Sequence, residues 1–247
     1  MRACMVAYTF YEGDNRVRRY GEALARRGDE VDALTLRQDD APSQTVVNGV
    51  RVHKIQRRAP NEHHKYDYLL RLLAFLLHSA WTLTVLHARR RYDLIHVHSI
   101  PDFEVFAALF AKLTGAKVIL DIHDSVPELY AGKFGATTTS PLFRLLVLIE
   151  RFSGGFADHV IVANHIWRER IVARSVAPRK CTVIMNYPDP AIFRERRGRR
   201  KDDAFVLLYP GTLSRHQGIG TAIRALTHLR DVVPHVELHI YGGGTDE

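Results

Sequence analysis

Length, composition and charge place this chain among ordinary globular proteins. It has 247 residues, of which 46% are hydrophobic and 25% charged, with 16 glycines and 10 prolines. These values exclude a disordered chain, a collagen and a disulfide scaffold, and the length suits one large domain with a remainder, or two small ones. The formal charge of +8 predicts attraction to anions, whether nucleic acid, phosphorylated ligands or an acidic membrane surface.

The first residues and the cysteines indicate a reducing compartment. Met1–Val6 leads directly into a strand, without the charged segment and long apolar segment of a secretory signal. Cys4 and Cys181 share no metal-type spacing and lie in apolar runs, which predicts buried free thiols. We therefore expect a cytoplasmic protein.

Apolar runs alternate with helical patterns along most of the chain. Several runs are continuously apolar, as in strands that are covered on both faces. The predicted strands of the first part are Ala3–Tyr8, Glu30–Leu36, Val50–Ile55, Asp93–His98, Lys117–Ile122, His159–Ala163 and Cys181–Met185.

Three of the intervening helices have recognisable ends. Asp14 and Gly28 bound the first, Asp102 is expected to cap the second, and Ser140-Pro141 opens the third. Repeated alternation of strand and helix predicts an α/β fold with an open, Rossmann-like parallel sheet.

The composition of the sequence changes near residue 190. Arg194–Asp203 is polar and typical of a linker, and a strand–helix–strand pattern follows it. Two strands and one helix cannot bury a sheet of their own. We therefore expect an N-terminal domain in residues 1–190, a basic linker in 191–203, and the truncated start of a second Rossmann-like domain in 204–247.

One helix is unusually apolar. Leu69–Ala88 carries a narrow polar stripe, and arginines flank it, including Arg58 before it and Arg89 after it. Three interpretations stay open: a core helix of the sheet, a helix that also enters an anionic membrane surface, and a transmembrane span. Arg71 and the surrounding α/β pattern argue against the span.

Polar residues follow several predicted strands, at the edge where parallel sheets bind ligands. Asp14 and Arg16 follow the first strand; Asp14 is expected to cap a helix, with a ligand role for either residue as the alternative. His98 ends the fourth strand, and Asp124 and Glu128 follow the fifth. Crowded titratable groups there suit proton transfer or the binding of sugar hydroxyls.

Histidines in the same two loops allow two interpretations. His96 and His98 point to one face of their strand, so with Asp121 and His123 they could hold a metal ion. Ordinary packing is the alternative for His96, whereas His123 is expected to be functional. No further cluster of candidate ligands supports this interpretation, and no bound metal is expected.

The second segment contains glycine-rich loops after its strands. Tyr209–Ile219 joins a strand to a helix, where glycines allow close backbone approach and the helix N-terminus favours anions. A phosphate site is reasonable there, although such turns are also common structural devices. The basic run 194–201 lacks the interleaved aromatic residues of a nucleic-acid site, and no nucleic-acid partner is expected.

Taken together, these motifs resemble glycosyltransferase family 4, retaining enzymes of the two-domain GT-B fold. The resemblance covers the whole chain. Its parts are Tyr11–Arg16, Ala23–Val31, Asp93–His98, Asp121–Asp124 with Pro127-Glu128, Glu150–Ala163, Asn186–Asp189 with Phe193, and Gly211–Gly218.

The resemblance implies that a sugar moves from a nucleotide-sugar to an acceptor on the N-terminal domain, with retained configuration and no metal or other cofactor. His123 matches the family's active-site histidine, and Asp14, Arg16, His98, Asp124 and Glu128 are expected on the acceptor side. The residues expected to bind the donor are Gly211, Thr212, Arg215, His216, Gln217, Gly218 and Gly243.

The sequence departs from the family in two ways. Thr212 and Gln217 stand where an arginine and a lysine are frequent in the family. Arg215, His216 or backbone N–H groups are therefore expected to bind the diphosphate instead. The paired glutamates of the second domain would lie beyond Glu247, so this chain alone is expected to bind donor poorly and turn over little.

The apolar helix and its basic flanks suit a lipid-linked or other glycan acceptor, and a peripheral position on the inner face of the cell membrane. Three rival functions stay open: a nucleotide-sugar epimerase of the same fold, a non-catalytic membrane- or partner-binding remnant, and a metal hydrolase.

Overall fold

The structure, a computed structural model, describes residues 1–38, 40–58, 65–134, 137–188, 190, 193, 204–213, 217–229 and 232–244. It divides into two compact units, Met1–Tyr187 and Pro188–Glu247. Most of the predicted linker, except Phe193, lies outside the described residues.

The first unit is built on an eight-stranded sheet. Its strands are β1 (Arg2–Ala7), β2 (Glu30–Arg37), β3 (Gln44–Val47), β4 (Val50–Arg57), β5 (Leu94–His98), β6 (Lys117–Ile122), β7 (His159–Val162) and β8 (Cys181–Val183). They lie in the order β3-β4-β2-β1-β5-β6-β7-β8, and every pair except β3–β4 is parallel. The predicted parallel α/β sheet is confirmed.

Within the described residues of this unit, six α-helices connect these strands. They are α1 (Asn15–Arg26), α2 (Lys65–Arg89), α3 (Leu109–Leu113), α4 (Val126–Phe134), α5 (Pro141–Phe156) and α6 (His165–Arg174). Short 3-10 helices cover Tyr11–Gly13, Asp102–Ala108 and Pro178–Lys180.

The helices pack on both faces of the sheet. Along β1, Met5 packs with Val17 of α1, whereas Val6 belongs to the cluster that contains Phe75 of α2 and Ala111 of α3. Because successive side chains of a strand point to opposite faces, α1 covers one face, and α2 and α3 cover the other. Cys4 and Cys181 are buried free thiols, as predicted.

Two of the three predicted N-terminal helix caps are present in the structure, and the third is not. The Asp14 carboxylate accepts hydrogen bonds from the backbone N–H groups of Arg16 and Val17, and Ser140 caps α5. Asp102, expected as a cap, is the first residue of a 3-10 helix, whose N-cap is Pro101. Its carboxylate instead accepts a hydrogen bond from the Ser99 hydroxyl at 2.5 Å, so that prediction was wrong.

The antiparallel edge strand β3 was missed. It joins β4 through Asn48-Gly49, whose φ angles are +47° and +84°. Asn-Gly with two positive φ angles is the signature of a tight hairpin turn, so the sequence did contain the signal.

Helix α2 is long and apolar enough to cross a membrane by length and composition, over Asp67–Arg89. However, Leu72, Phe75 and Leu83 are buried, and two of them belong to the sheet's main core cluster. The structure therefore favours a helix of the sheet layer over a transmembrane span.

The second unit has the predicted strand–helix–strand order: β9 (Phe205–Pro210), α7 (Ile219–Leu229) and β10 (Val236–Tyr241). β9 and β10 pair in parallel. Gly218, just before α7, has a φ of +77°, a backbone conformation that favours glycine.

Candidate functional site

A cleft of about 250 Å³ lies at the carboxyl edge of the first sheet. The strand order reverses beside β1, because the chain builds outward to β4 on one side and then continues from β5 on the other. Ligands of open α/β sheets bind at this type of position. The cleft is lined by Ala7, Tyr8, Thr9, Asp14, Arg58, Tyr68, His98, Ser99, Ile100, His123 and Asp124.

A buried ion pair lies beneath the cleft. Arg16 of α1 binds both carboxylate oxygens of Asp121, with Nη2–Oδ1 at 2.6 Å and Nε–Oδ2 at 2.9 Å. Burial would raise the pKa of Asp121, but hydrogen bonds from His123, His96, His98 and Arg16 outweigh it and hold the pKa well below its usual range. A charged carboxylate is therefore fixed at the end of β6.

His98 is neutral at physiological pH. Burial, followed by the neighbouring His96, lowers its pKa to about 3. Its Nδ1 lies 3.4 Å from Asp121 Oδ2 and 3.2 Å from His123 Nε2, while its Nε2 has no hydrogen-bond partner within the described residues. His98 thus packs against both groups without adding charge.

His123 connects this cluster to the cleft. Its Nε2 contacts His98, and also Asp121 Oδ2 at 3.4 Å, while its side chain keeps about a fifth of its surface exposed. Both contacts use Nε2, and no described residue hydrogen-bonds to Nδ1. His98 and Asp121 therefore fix the orientation of the His123 ring, which can present Nδ1 to a ligand in the cleft.

The same cluster fits a divalent cation poorly. His96, His98 and Asp121 offer ligand atoms within 4.8 Å of one another, which is the spacing that a metal requires. The Arg16 guanidinium, however, already bonds to both Asp121 oxygens, and it would repel a cation at that carboxylate.

Two of the residues expected on the acceptor side lie elsewhere. Arg16 is buried and committed to Asp121. Glu128 does not line the cleft; it pairs with Arg174, whose Nη1 lies 2.5 Å from Glu128 Oε1, and Arg174 also pairs with the buried Glu150. Asp14, His98, His123 and Asp124 do line the cleft, so four predicted residues are brought together.

Several residues of the cleft wall were not among the predicted site residues. Tyr8 and Thr9 follow β1, and Arg58 follows β4, so their positions at strand ends were a usable signal. Tyr68, from the first turns of α2, had no such signal because its placement depends on how that helix crosses the sheet.

In the second unit, the loops after β9 and β10 lie side by side. The backbone N–H of Leu213 donates to Gly243 O at 3.0 Å, and that of Gly211 donates to Tyr241 O at 2.9 Å. A Cβ atom on Gly242 would lie 1.8 Å from Gly211 O, so this approach requires glycine. Thr212 lies between the two bonded residues, and Gln217 and Gly218 directly precede α7. The predicted Arg215 and His216 fall outside the described residues.

Comparison with known families identifies the chain. Residues 13–187 match the family described as "Glycosyl transferase 4-like domain", and the chain belongs to it. The matched segment falls within the first compact unit and includes Asp121 with its partners Arg16, His98 and His123.

Solved structures share the fold. Sucrose-phosphate synthase from Thermosynechococcus elongatus is 19% identical with a TM-score of 0.67, over 97% of this chain and 62% of that one. The catalytic domain of starch synthase IV from Arabidopsis thaliana, bound to ADP and acarbose, is 14% identical with a TM-score of 0.65, over 99% and 69%. HepE from Anabaena, in complex with UDP and glucose, is 14% identical with a TM-score of 0.61, over 98% and 61%.

At these identities the likeness shows the fold, which is the Rossmann-like GT-B fold of glycosyltransferases. The predicted family and fold class are confirmed. The chain spans 62% of the length of the sucrose-phosphate synthase chain.

Proposed function

We propose that this chain carries the acceptor domain and the beginning of the donor domain of a retaining glycosyltransferase. The reaction would break the bond between the anomeric carbon and the phosphate oxygen of a nucleotide-sugar and join that carbon to an acceptor hydroxyl. The nucleoside diphosphate leaves with the bonding electrons and takes up the proton of the hydroxyl.

The observation that carries this proposal is the supported position of His123. A fixed anionic carboxylate, Asp121, and a neutral imidazole, His98, hold the ring at the wall of a cleft that also contains Asp14 and Asp124. Carboxylates bind sugar hydroxyls and stabilise positive charge that develops at the anomeric carbon, and an imidazole can donate a hydrogen bond to the departing phosphate.

The proposed diphosphate site is formed by residues 211–213 and 217–218, before the first turn of α7. Backbone N–H groups at the start of α7 and the positive end of its dipole favour an anion there. This arrangement can stabilise a departing diphosphate without a metal, and we propose no resident cofactor. The complexes of HepE with UDP and glucose, and of starch synthase IV with ADP, support a nucleotide-sugar as the donor.

The proposed acceptor is a lipid-linked or other glycan, used at the cytoplasmic face of a membrane. The position of Tyr68 supports this choice, because it places the start of the apolar helix α2 at the wall of the cleft. A lipid-borne sugar would then meet the cleft beside an apolar helix.

A screen of nucleotide-sugars tests the proposal. The full chain is incubated with UDP-, GDP- and ADP-sugars, binding is followed by saturation-transfer NMR, and transfer to lipid-linked saccharides is followed by mass spectrometry. We expect one donor class to bind weakly and to be turned over slowly. His123→Asn should lower kcat/KM about 100-fold while nucleotide binding is kept.

The matched control is His159→Asn, at a half-buried histidine of β7 whose Nε2 lies 2.8 Å from the Thr182 hydroxyl, away from the cleft. The control should keep the wild-type rate. If no nucleotide-sugar binds, or if donor alone is converted to an epimer without transfer, the proposed reaction is wrong.

A further inference from the structure

Three neighbouring elements on one face of the sheet carry apolar side chains on their outer surfaces. Pairs four residues apart, and therefore on one side of a helix, are exposed on α2, α3 and α5. These pairs are Leu77 with Trp81, Leu109 with Leu113, and Leu148 with Phe152, and Trp81 is 73% exposed.

The three pairs belong to one helical layer. The 3-10 helix Asp102–Ala108, which leads into α3, packs against both α2 and α5. For example, the ring of Phe106 meets that of Phe156 at a centroid distance of 5.2 Å. On α2, the exposed Leu77 and Trp81 lie opposite the buried Phe75 and Leu83. Large apolar side chains exposed on neighbouring helices are typical of an interaction surface.

The charges of this layer are one-sided. Of the acidic residues in these elements, Asp102, Glu104 and Glu150 are buried, which leaves Asp67 as the exposed acid of their described residues. Arg71, Arg89, Arg144 and Arg151 lie on the same helices, and no described acid forms an ion pair with them. Asp158, just after α5, pairs with Lys112 of α3 at 2.7 Å. The arginines of α2 and α5 therefore leave a net positive charge beside the exposed apolar groups.

A small cleft on α5 brings these properties together. It has a volume of about 340 Å³, and Arg144 and Arg151, two helical turns apart, lie at it together with Leu148. Two guanidinium groups beside an apolar side chain match a phosphate headgroup whose acyl chain lies next to it.

We infer that the outer surface of α2, α3 and α5 docks on an anionic phospholipid bilayer. The apolar pairs enter the interface, and Arg144 and Arg151 contact lipid phosphates. A second copy of the chain is a poorer partner, because a symmetric contact would set arginine against arginine. The inference goes beyond the proposed reaction, since the surface would bind lipid even if the chain transferred no sugar.

Tryptophan fluorescence tests this surface directly. The chain has two tryptophans, Trp81 and Trp167, so Trp167→Phe leaves Trp81 as the reporter. Vesicles of phosphatidylcholine with phosphatidylglycerol should shift its emission to the blue, and brominated lipids should quench it. Vesicles of phosphatidylcholine alone should have a much smaller effect.

Flotation with the same vesicles separates the electrostatic contribution of the arginines from the apolar contribution of Trp81. Arg144→Gln combined with Arg151→Gln should weaken partitioning about 25-fold at low salt, or about fivefold for each cation. Trp81→Ser should weaken it about tenfold. The controls are Arg26→Gln on α1 and Val46→Ser on β3, which change exposed side chains outside this layer and should bind as wild type.

The inference is overturned if the wild-type chain ignores anionic vesicles, or if the layer variants and the controls bind equally. It is also overturned if sedimentation velocity shows a dimer that Trp81→Ser abolishes, because the surface would then belong to a second copy.

Discussion

Two buried carboxylates in the first unit show opposite behaviour. Asp121 and Glu104 are both without solvent exposure. Asp121 is surrounded by Arg16 and three histidines, and its pKa is held well below the usual range. Glu104 lies in the 3-10 helix beneath α2, where burial raises its pKa to about 8 and only Ser79 acts in the other direction.

The difference teaches that burial alone does not decide the charge of an acid; its partners do. A buried carboxylate without partners takes up a proton, because the charged form loses its hydration. Asp121 keeps its charge since Arg16 and the imidazoles replace that hydration. The charged acid lies next to the candidate site, and the neutral acid lies in the helical layer.

The largest effect is expected at Arg16. Arg16→Ala leaves a buried carboxylate without its cation and should lower the free energy of unfolding by about 3–5 kcal/mol, measured by urea denaturation at pH 7. Arg26→Ala, an exposed position on the same helix, should change it by less than about 0.5 kcal/mol. A similarly small loss for Arg16→Ala would mean that the three histidines suffice to hold Asp121.

Glu104 predicts a pH dependence of stability. Its folded pKa of about 8 lies above its ordinary value of 4.5, so the folded chain holds a proton that the unfolded chain releases. Its contribution to stability is full below about pH 4.5 and is lost as the pH rises toward 8. Glu104→Gln should remove this loss and stabilise the chain at pH 8 by about 2–4 kcal/mol relative to wild type.

Urea denaturation from pH 5 to pH 8 measures that difference, with the exposed Glu169→Gln as the matched control. Parallel curves for wild type and Glu104→Gln would contradict a protonated Glu104. Asp121 provides the opposite sign, because its folded pKa lies below the ordinary 3.8 and its stabilisation is lost as the pH falls.

The smallest effect is expected at Asp14. Asp14→Ala removes two hydrogen bonds to the first turn of α1 and should cost about 1 kcal/mol, whereas Asp14→Asn keeps a capping oxygen and should cost much less. If both variants are equally unstable, the charge at the cleft matters more than the cap.

Local rules predicted much of the fold. The strand Lys117–Ile122 has the predicted bounds, and the capped ends of α1 and α5 follow from Asp14 and Ser140. These features depend on residues that are adjacent in sequence, where hydrophobic runs and capping preferences carry the information. The Asn48-Gly49 hairpin was equally local and was missed.

The site was predictable only in part. Strand ends placed His98, His123 and Asp124 at one edge, because the carboxyl ends of parallel strands share that edge. The pair of Arg16 and Asp121 spans 105 residues, and no local pattern links them. Asp102 shows the same limit, since a cap was expected but tertiary packing gave its carboxylate to Ser99.

Helix α2 contributes Tyr68 to the cleft wall and Trp81 to the outer surface. A single helix of 25 residues thus connects the cleft, where a sugar acceptor would bind, to the surface that would dock on the membrane. A chain held in this way would meet its acceptor by lateral diffusion in two dimensions. Its encounter rate would follow the surface density of the acceptor instead of its bulk concentration.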